Sequence, residues 1–227
     1  MAASVPVSEP GDFGPAPWSY PGTPIDRSDP IDRLPQRGRS LVVAVGSNAS
    51  RAVLERKFGR AGVPTTVPLV RARVTGIRQG HSAHVSVPGY VPAAPIADPT
   101  ATSNLVASFL DQDQLAALDE TEPNYHRLEL DAEQFPIELD HGLRPGSYFV
   151  YWSRHGVLAT PGQRPLSLGG QEQLFDQLIM NCVGFSQLAT GLPRAVMQAL
   201  AASAELRTAA GAVFRDSGWI SRDGFTR

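Results

Sequence analysis

The sequence predicts an α+β fold in which helices flank a curved or barrel-like sheet. Valine-rich and alternating segments, which are typical of strands, crowd the first two thirds of the chain. Beyond Gly170 apolar residues recur at intervals of three and four, which is typical of helices. We expect a proline-rich N-terminal arm at residues 1–39 and a single domain at residues 40–227, the last part of it helical.

The arm holds eight of the 20 prolines, and proline disfavours both helices and central strands. We therefore expect an extended segment. Phe13, Trp18 and Tyr20 make it apolar enough to pack onto a surface, whereas a solvated leader is the alternative.

The domain begins with a strand, a tight turn and a helix. Residues 41–45 are continuously apolar and predict a buried strand. Gly46-Ser47-Asn48 follows, and a helical pattern runs from residue 50 to about residue 61, with Asn48 or Ser50 as its cap. Such a turn leaves backbone N–H groups pointing outward, where they can hold an anion or a developing oxyanion.

Alternation and turn residues place the remaining elements. Further strands are predicted over residues 68–77, 81–87, 104–110, 125–130 and 146–153. Helices are predicted over residues 111–120, 174–183, 193–200 and 204–214. The prolines between residues 88 and 99 predict a loop.

Charge and cysteine content exclude several functions. The net charge of −2 provides no excess of positive charge for nucleic acid or an anionic membrane, so neither partner is expected. The single cysteine, Cys182, allows no internal disulfide and no four-thiolate metal site, which indicates a cytoplasmic protein. His81 and His84 would point to opposite faces of a strand, so no metal is expected between them.

Two segments carry a resemblance to a known family. Gly46-Ser47-Asn48 follows an apolar strand, and Leu118-Asp119-Glu120-Thr121-Glu122 ends 74 residues beyond Asn48, followed by Tyr125 and Arg127. Over about residues 41–155 this pattern resembles the gamma-glutamylcyclotransferase superfamily. The resemblance implies a small mixed β-barrel with flanking helices. It also implies a cyclotransferase or lyase reaction, in which the α-amine of a γ-glutamyl group attacks its own side-chain carbonyl and releases 5-oxoproline and an amine.

The resemblance also implies roles for individual residues. Glu122 matches the catalytic acid/base residue, although Glu120 is a close competitor. Gly46, Ser47 and Asn48 match the loop that binds the glutamyl unit, and Tyr125 matches a tyrosine near the site. His84 could line the same pocket, with a structural or exposed histidine as the alternative. No metal or organic cofactor is implied, and the partner is a small γ-glutamyl compound.

The chain departs from the family pattern at two positions. Val45 stands where tyrosine is usual, and Pro123 stands where glycine is usual. Glutathione, a γ-glutamylated amine and another small metabolite therefore stay open as substrates. A non-catalytic carboxylate-binding module, with a partner-binding arm, is the alternative function. It would be favoured if Glu122 pointed to solvent rather than into a pocket beside Gly46. The oligomeric state is also open.

Overall fold

Within residues 16–30 and 38–225, which the computed structural model describes, one six-stranded mixed sheet and a two-stranded sheet are combined with six α-helices. The α+β class is thereby confirmed. The strands are β1 Ser40–Ala44, β2 Leu69–His81, β3 Ala93–Leu110, β4 Tyr125–Asp131, β5 Ile137–Leu139, β6 Ser147–Ser153, β7 Val157–Leu158 and β8 Ile220–Ser221. The helices are α1 Arg51–Ala61, α2 Gln112–Thr121, α3 Gln171–Asn181, α4 Val183–Leu188, α5 Pro193–Ala202 and α6 Ala204–Asp216.

The large sheet has the strand order β4-β6-β1-β3-β2-β5. Strand β1 lies in its middle, antiparallel to β3 and parallel to β6. The neighbours Val42 and Val43 of β1 are both buried, because Val42 packs among residues of α1 and α2 and Val43 packs in the core on the other face. This burial of both faces explains the continuous apolar run. The sheet is open rather than closed into a barrel, since β4 and β5 lie at opposite edges.

Helix α1 follows β1 after a single 3₁₀ turn, Ser47–Ala49. Its Leu54 and Phe58 are fully buried, and it ends at Gly62, which has a left-handed φ of 70°. Ser50 occupies the N-cap position, but no side chain caps the helix. The side chain of Asn48 is therefore available for another purpose.

Two of the secondary-structure predictions for the chain around residue 90 are wrong. The strand predicted at 81–87 does not form, because β2 continues unbroken to His81 and the chain then leaves the sheet. The loop predicted at 88–99 ends early, because β3 already begins at Ala93. Pro95 is tolerated there, since this half of β3 has β2 on one side only and an edge position needs no second ladder.

The described part of the arm lies against the domain. The Asp29 carboxylate binds the Arg51 guanidinium with both oxygens, at 2.8 and 2.9 Å. The same carboxylate accepts a hydrogen bond from the Leu69 N–H at 2.8 Å. In return, the Asp29 N–H donates to the Leu69 carbonyl, also at 2.8 Å. Asp29 thus joins the arm to the starts of α1 and β2.

Residues 1–15 and 31–37, among them Phe13, lie outside the described residues. The boundary at residue 39 accordingly stays a prediction.

The C-terminal helices form a second core beside the sheet. Phe175, Phe185 and Phe214 are fully buried in it, and Cys182 packs among them. In the described ranges, none of the helices has the length and apolar character needed to cross a membrane.

Candidate active site

A cavity of about 600 Å³ opens beside residues 46–48, here called the Gly46 turn. Its other walls come from the end of α1, the chain between residues 84 and 93, and residues 120–125 at the end of α2 and beyond it. This volume is ordinary for a small-molecule site, for which about 300–1,000 Å³ is typical. The predicted site residues that lie in its lining are Gly46, Ser47, Asn48, His84, Glu122 and Tyr125.

Glu122 lies at the C-terminal cap of α2, where its backbone N–H donates to the Asp119 carbonyl at 3.1 Å. Its side chain is only 14% exposed. The Oε1 atom accepts hydrogen bonds from Asn48 Nδ2 at 2.9 Å and from Lys57 Nζ at 2.8 Å. Among the residues described, Oε2 receives no hydrogen bond. One carboxylate oxygen is therefore held by the protein, and the other can take a proton.

Asn48 and Lys57 complete a closed triangle with this carboxylate. Lys57 Nζ donates to Asn48 Oδ1 at 2.9 Å, so the amide oxygen faces the ammonium and the amide nitrogen faces Glu122. The Lys57 side chain is 7% exposed, and a buried ammonium needs such partners. Lys57 belongs to neither of the two motifs that predict the site. The available signal was a lysine on the apolar side of α1, next to Leu54 and Phe58.

Gly46 is needed for space. Its φ of −136° lies outside the left-handed range that favours glycine. A Cβ atom built there, however, would collide with the Tyr20 hydroxyl and lie 3.1 Å from the Ala93 side chain. The turn can therefore pack closely against both residues only as glycine.

Two tyrosines bind the backbone of Ala93 at the cavity wall. The Ala93 N–H donates to the Tyr20 hydroxyl at 2.8 Å, and the Tyr125 hydroxyl donates to the Ala93 carbonyl at 2.8 Å. Burial raises the pKa of both phenols well above the ordinary value, and the negative charge of Glu122 raises each pKa further. Both tyrosines are therefore uncharged hydrogen-bonding groups at neutral pH.

His84 lines the cavity as an uncharged ring. Its Nδ1 lies 2.6 Å from the Ser82 hydroxyl, and its ring centroid lies 4.5 Å from that of His155. Burial, together with the smaller effect of the nearby His155, lowers the pKa of His84 to about 3. His84 can therefore offer a polar atom but no positive charge to a substrate. In the part of the chain that is described, no three His, Cys, Asp or Glu side chains are grouped to hold a metal ion.

Glu120 also reaches the lining, but in a different setting. It is exposed, and within the described residues its carboxylate has no hydrogen bond or ion pair. Glu122 is partly buried and bonded to the Gly46 turn. The geometry therefore favours Glu122 as the acid/base group.

Among known proteins, only solved structures resemble this chain. No family model matches the sequence, and no curated protein matches it. Solved structures similar to it include gamma-glutamyl cyclotransferases, the group that the sequence motifs predicted.

One such structure, named gamma-glutamyl cyclotransferase, is 14% identical over 83% of this chain and 92% of its own, with a TM-score of 0.41. A yeast gamma-glutamyl cyclotransferase specific to glutathione is 13% identical over 79% of this chain and 97% of its own, with a TM-score of 0.35. An uncharacterized human protein is 17% identical over 84% and 93%, with a TM-score of 0.42. These TM-scores lie below 0.5, so the likeness to each of these structures is distant.

Proposed function

We propose that this chain cyclises a γ-glutamyl amide and releases 5-oxoproline and a free amine. The observation that carries the proposal is the position of Glu122, whose carboxylate lies in the cavity lining and is bonded to Asn48 of the Gly46 turn. The reaction needs an acid/base group and hydrogen-bond donors on either side of a small substrate.

The steps follow from the chemistry of the γ-glutamyl group. Glu122 Oε2 takes a proton from the α-ammonium, and the resulting amine attacks the carbon of its own side-chain carbonyl. The carbonyl oxygen becomes negative and is stabilised by amide donors of the Gly46 turn, each donor being worth about 3 kcal/mol. The bond from this carbon to the leaving nitrogen then breaks, while Glu122 returns the proton to that nitrogen. The new ring nitrogen still carries a second proton, which Glu122 takes and passes to the departing amine, so the products are the lactam 5-oxoproline and an ammonium ion. No water is consumed.

The triangle with Asn48 and Lys57 suits this exchange of protons. Both residues bind Oε1, so Oε2 can gain and lose a proton while Oε1 keeps its partners. Glu122 therefore keeps one orientation throughout. Amine and carbonyl belong to the same molecule, and well-oriented intramolecular reactions reach effective molarities of about 10⁵ M or more.

Incubation with a panel of γ-glutamyl amides, with 5-oxoproline measured as product, tests the proposal. The parent protein is expected to release product, and Glu122→Gln is expected to lower kcat at least about a hundredfold, the usual scale for an acid/base group. Glutamine can still accept the hydrogen bonds made to Oε1 but cannot act as a base. The matched control is Glu120→Gln, two residues away and exposed, which should retain the parent's rate.

Equal rates from the parent and Glu122→Gln would overturn the assigned role. A loss in Glu120→Gln instead would move that role to Glu120.

A non-catalytic carboxylate-binding module is the second candidate. The observation in its favour is that Arg60 brings a cationic group to the cavity lining. Calorimetric binding of γ-glutamyl compounds without any 5-oxoproline release would favour this function over cyclisation.

A further inference from the structure

Tyr20 belongs to the proline-rich arm, yet it lies in the wall of the cavity. Its ring stacks on that of Tyr90, with centroids 4.2 Å apart and planes 15° apart. Its hydroxyl accepts the Ala93 N–H at 2.8 Å and lies so close to Gly46 that no side chain could fit between them. Both the ring and the hydroxyl are thus held in one place.

The hydroxyl also lies close to the proposed machinery. The Ser47 backbone and the charge of Glu122 both act on its pKa, which the first lowers and the second raises. Gly46 packs directly against it. A phenol that accepts a backbone N–H group keeps its own O–H for donation, and it is therefore well placed to donate a hydrogen bond to an oxygen of a bound molecule.

We propose that Tyr20 is a substrate-binding residue, whose hydroxyl donates a hydrogen bond to an oxygen of the γ-glutamyl group held between the Gly46 turn and Glu122. The inference rests on the proposed function. It makes the arm a part of the site rather than a tether, because the segment at residues 16–30 supplies a contact that the domain from residue 40 onward does not.

Tyr20→Phe in the full chain tests the inference, since it keeps the ring and its stacking on Tyr90 and removes only the hydroxyl. The matched control is Tyr148→Phe. Tyr148 is equally buried and its hydroxyl donates to the Phe135 carbonyl at 3.0 Å, but it lies outside the cavity lining. Thermal unfolding and circular dichroism should show both variants folded, with similar Tm values.

In the 5-oxoproline assay Tyr20→Phe is expected to lower kcat/KM by about tenfold, the effect of one buried hydrogen bond, while Tyr148→Phe stays within about twofold of the parent. Calorimetric titration with 5-oxoproline, used as the probe, should show a matching loss of affinity in Tyr20→Phe alone. A purely structural Tyr20 would affect Tm but would not separate the two variants in either assay.

The outcomes distinguish this inference from the proposed function. Turnover that is the same in Tyr20→Phe and Tyr148→Phe overturns the inference and leaves cyclisation standing. If the parent binds 5-oxoproline but shows no turnover, and Tyr20→Phe weakens that binding, the inference is upheld and cyclisation is overturned. A parent with neither turnover nor binding overturns both.

Discussion

Replacing Lys57 by methionine should destabilise the protein, because it leaves the partly buried carboxylate of Glu122 without its counter-charge. The ion pair with Glu122 is 2.8 Å long, and the two side chains are 7% and 14% exposed. Removing one partner of a buried pair typically costs 3–5 kcal/mol. Glu122 keeps its hydrogen bond from Asn48 and some contact with water, so we expect the lower end, about 3 kcal/mol.

Urea unfolding, followed by circular dichroism, measures this free energy. The matched control is Arg144→Met, which removes a pair with Glu138 whose side chains are 73% and 50% exposed, and which should leave stability almost unchanged. The double variant Lys57→Met with Glu122→Gln removes both charges. Its loss should be smaller than the sum of the two single losses by at least about 1 kcal/mol.

Two results would refute this reasoning. A Lys57→Met protein as stable as the parent would show that the pair contributes nothing net. Strict additivity in the double variant would show that the two charges do not act on each other.

Two further predictions concern packing and pH. Gly46→Ala should lower the free energy of unfolding by about 1–3 kcal/mol, because the new methyl group meets the Tyr20 hydroxyl. Gly146→Ala should not lower it, because there is open space around Gly146. Urea unfolding of both variants tests this. Stability should also fall as the pH falls below 6.5, because burial lowers the pKa of His81 to about 4 and of His84 to about 3, so that only the unfolded chain takes up protons. The loss at pH 5, relative to pH 7, should be about 2 kcal/mol for each histidine. Replacing His81 or His84 alone by glutamine should reduce the pH dependence of the unfolding free energy measured in urea. An unchanged pH dependence would contradict the prediction.

The parts of the site that could be predicted from the sequence are those marked by a pattern of neighbouring residues. An apolar run that stops at Gly46 is visible without any tertiary information, and so is a short helix that ends near Glu122. The 74-residue spacing between Asn48 and Glu122 then joined the two segments, and the structure shows a direct hydrogen bond between their side chains.

The parts that were missed depend on distant neighbours. Lys57 gains its importance from Glu122, 65 residues away, and nothing in the local pattern of α1 names that partner. Tyr20 lies in a segment whose composition is also typical of a solvated leader. Pro95 was interpreted as a loop residue because its tolerance in β3 depends on which side of the strand has a neighbour.

The attachment of Asp29 to Arg51 and Leu69 has a practical consequence for anyone who shortens this protein. A proline-rich leader is a common target for truncation, and Ser40 is a natural place to begin a trimmed version. Such a version would strip the salt bridge from the first turn of α1 and take the Tyr20 ring out of the pocket wall. If the trimmed protein were inactive, the truncation itself would be the cause, and the result would say nothing about the chemistry of the intact chain.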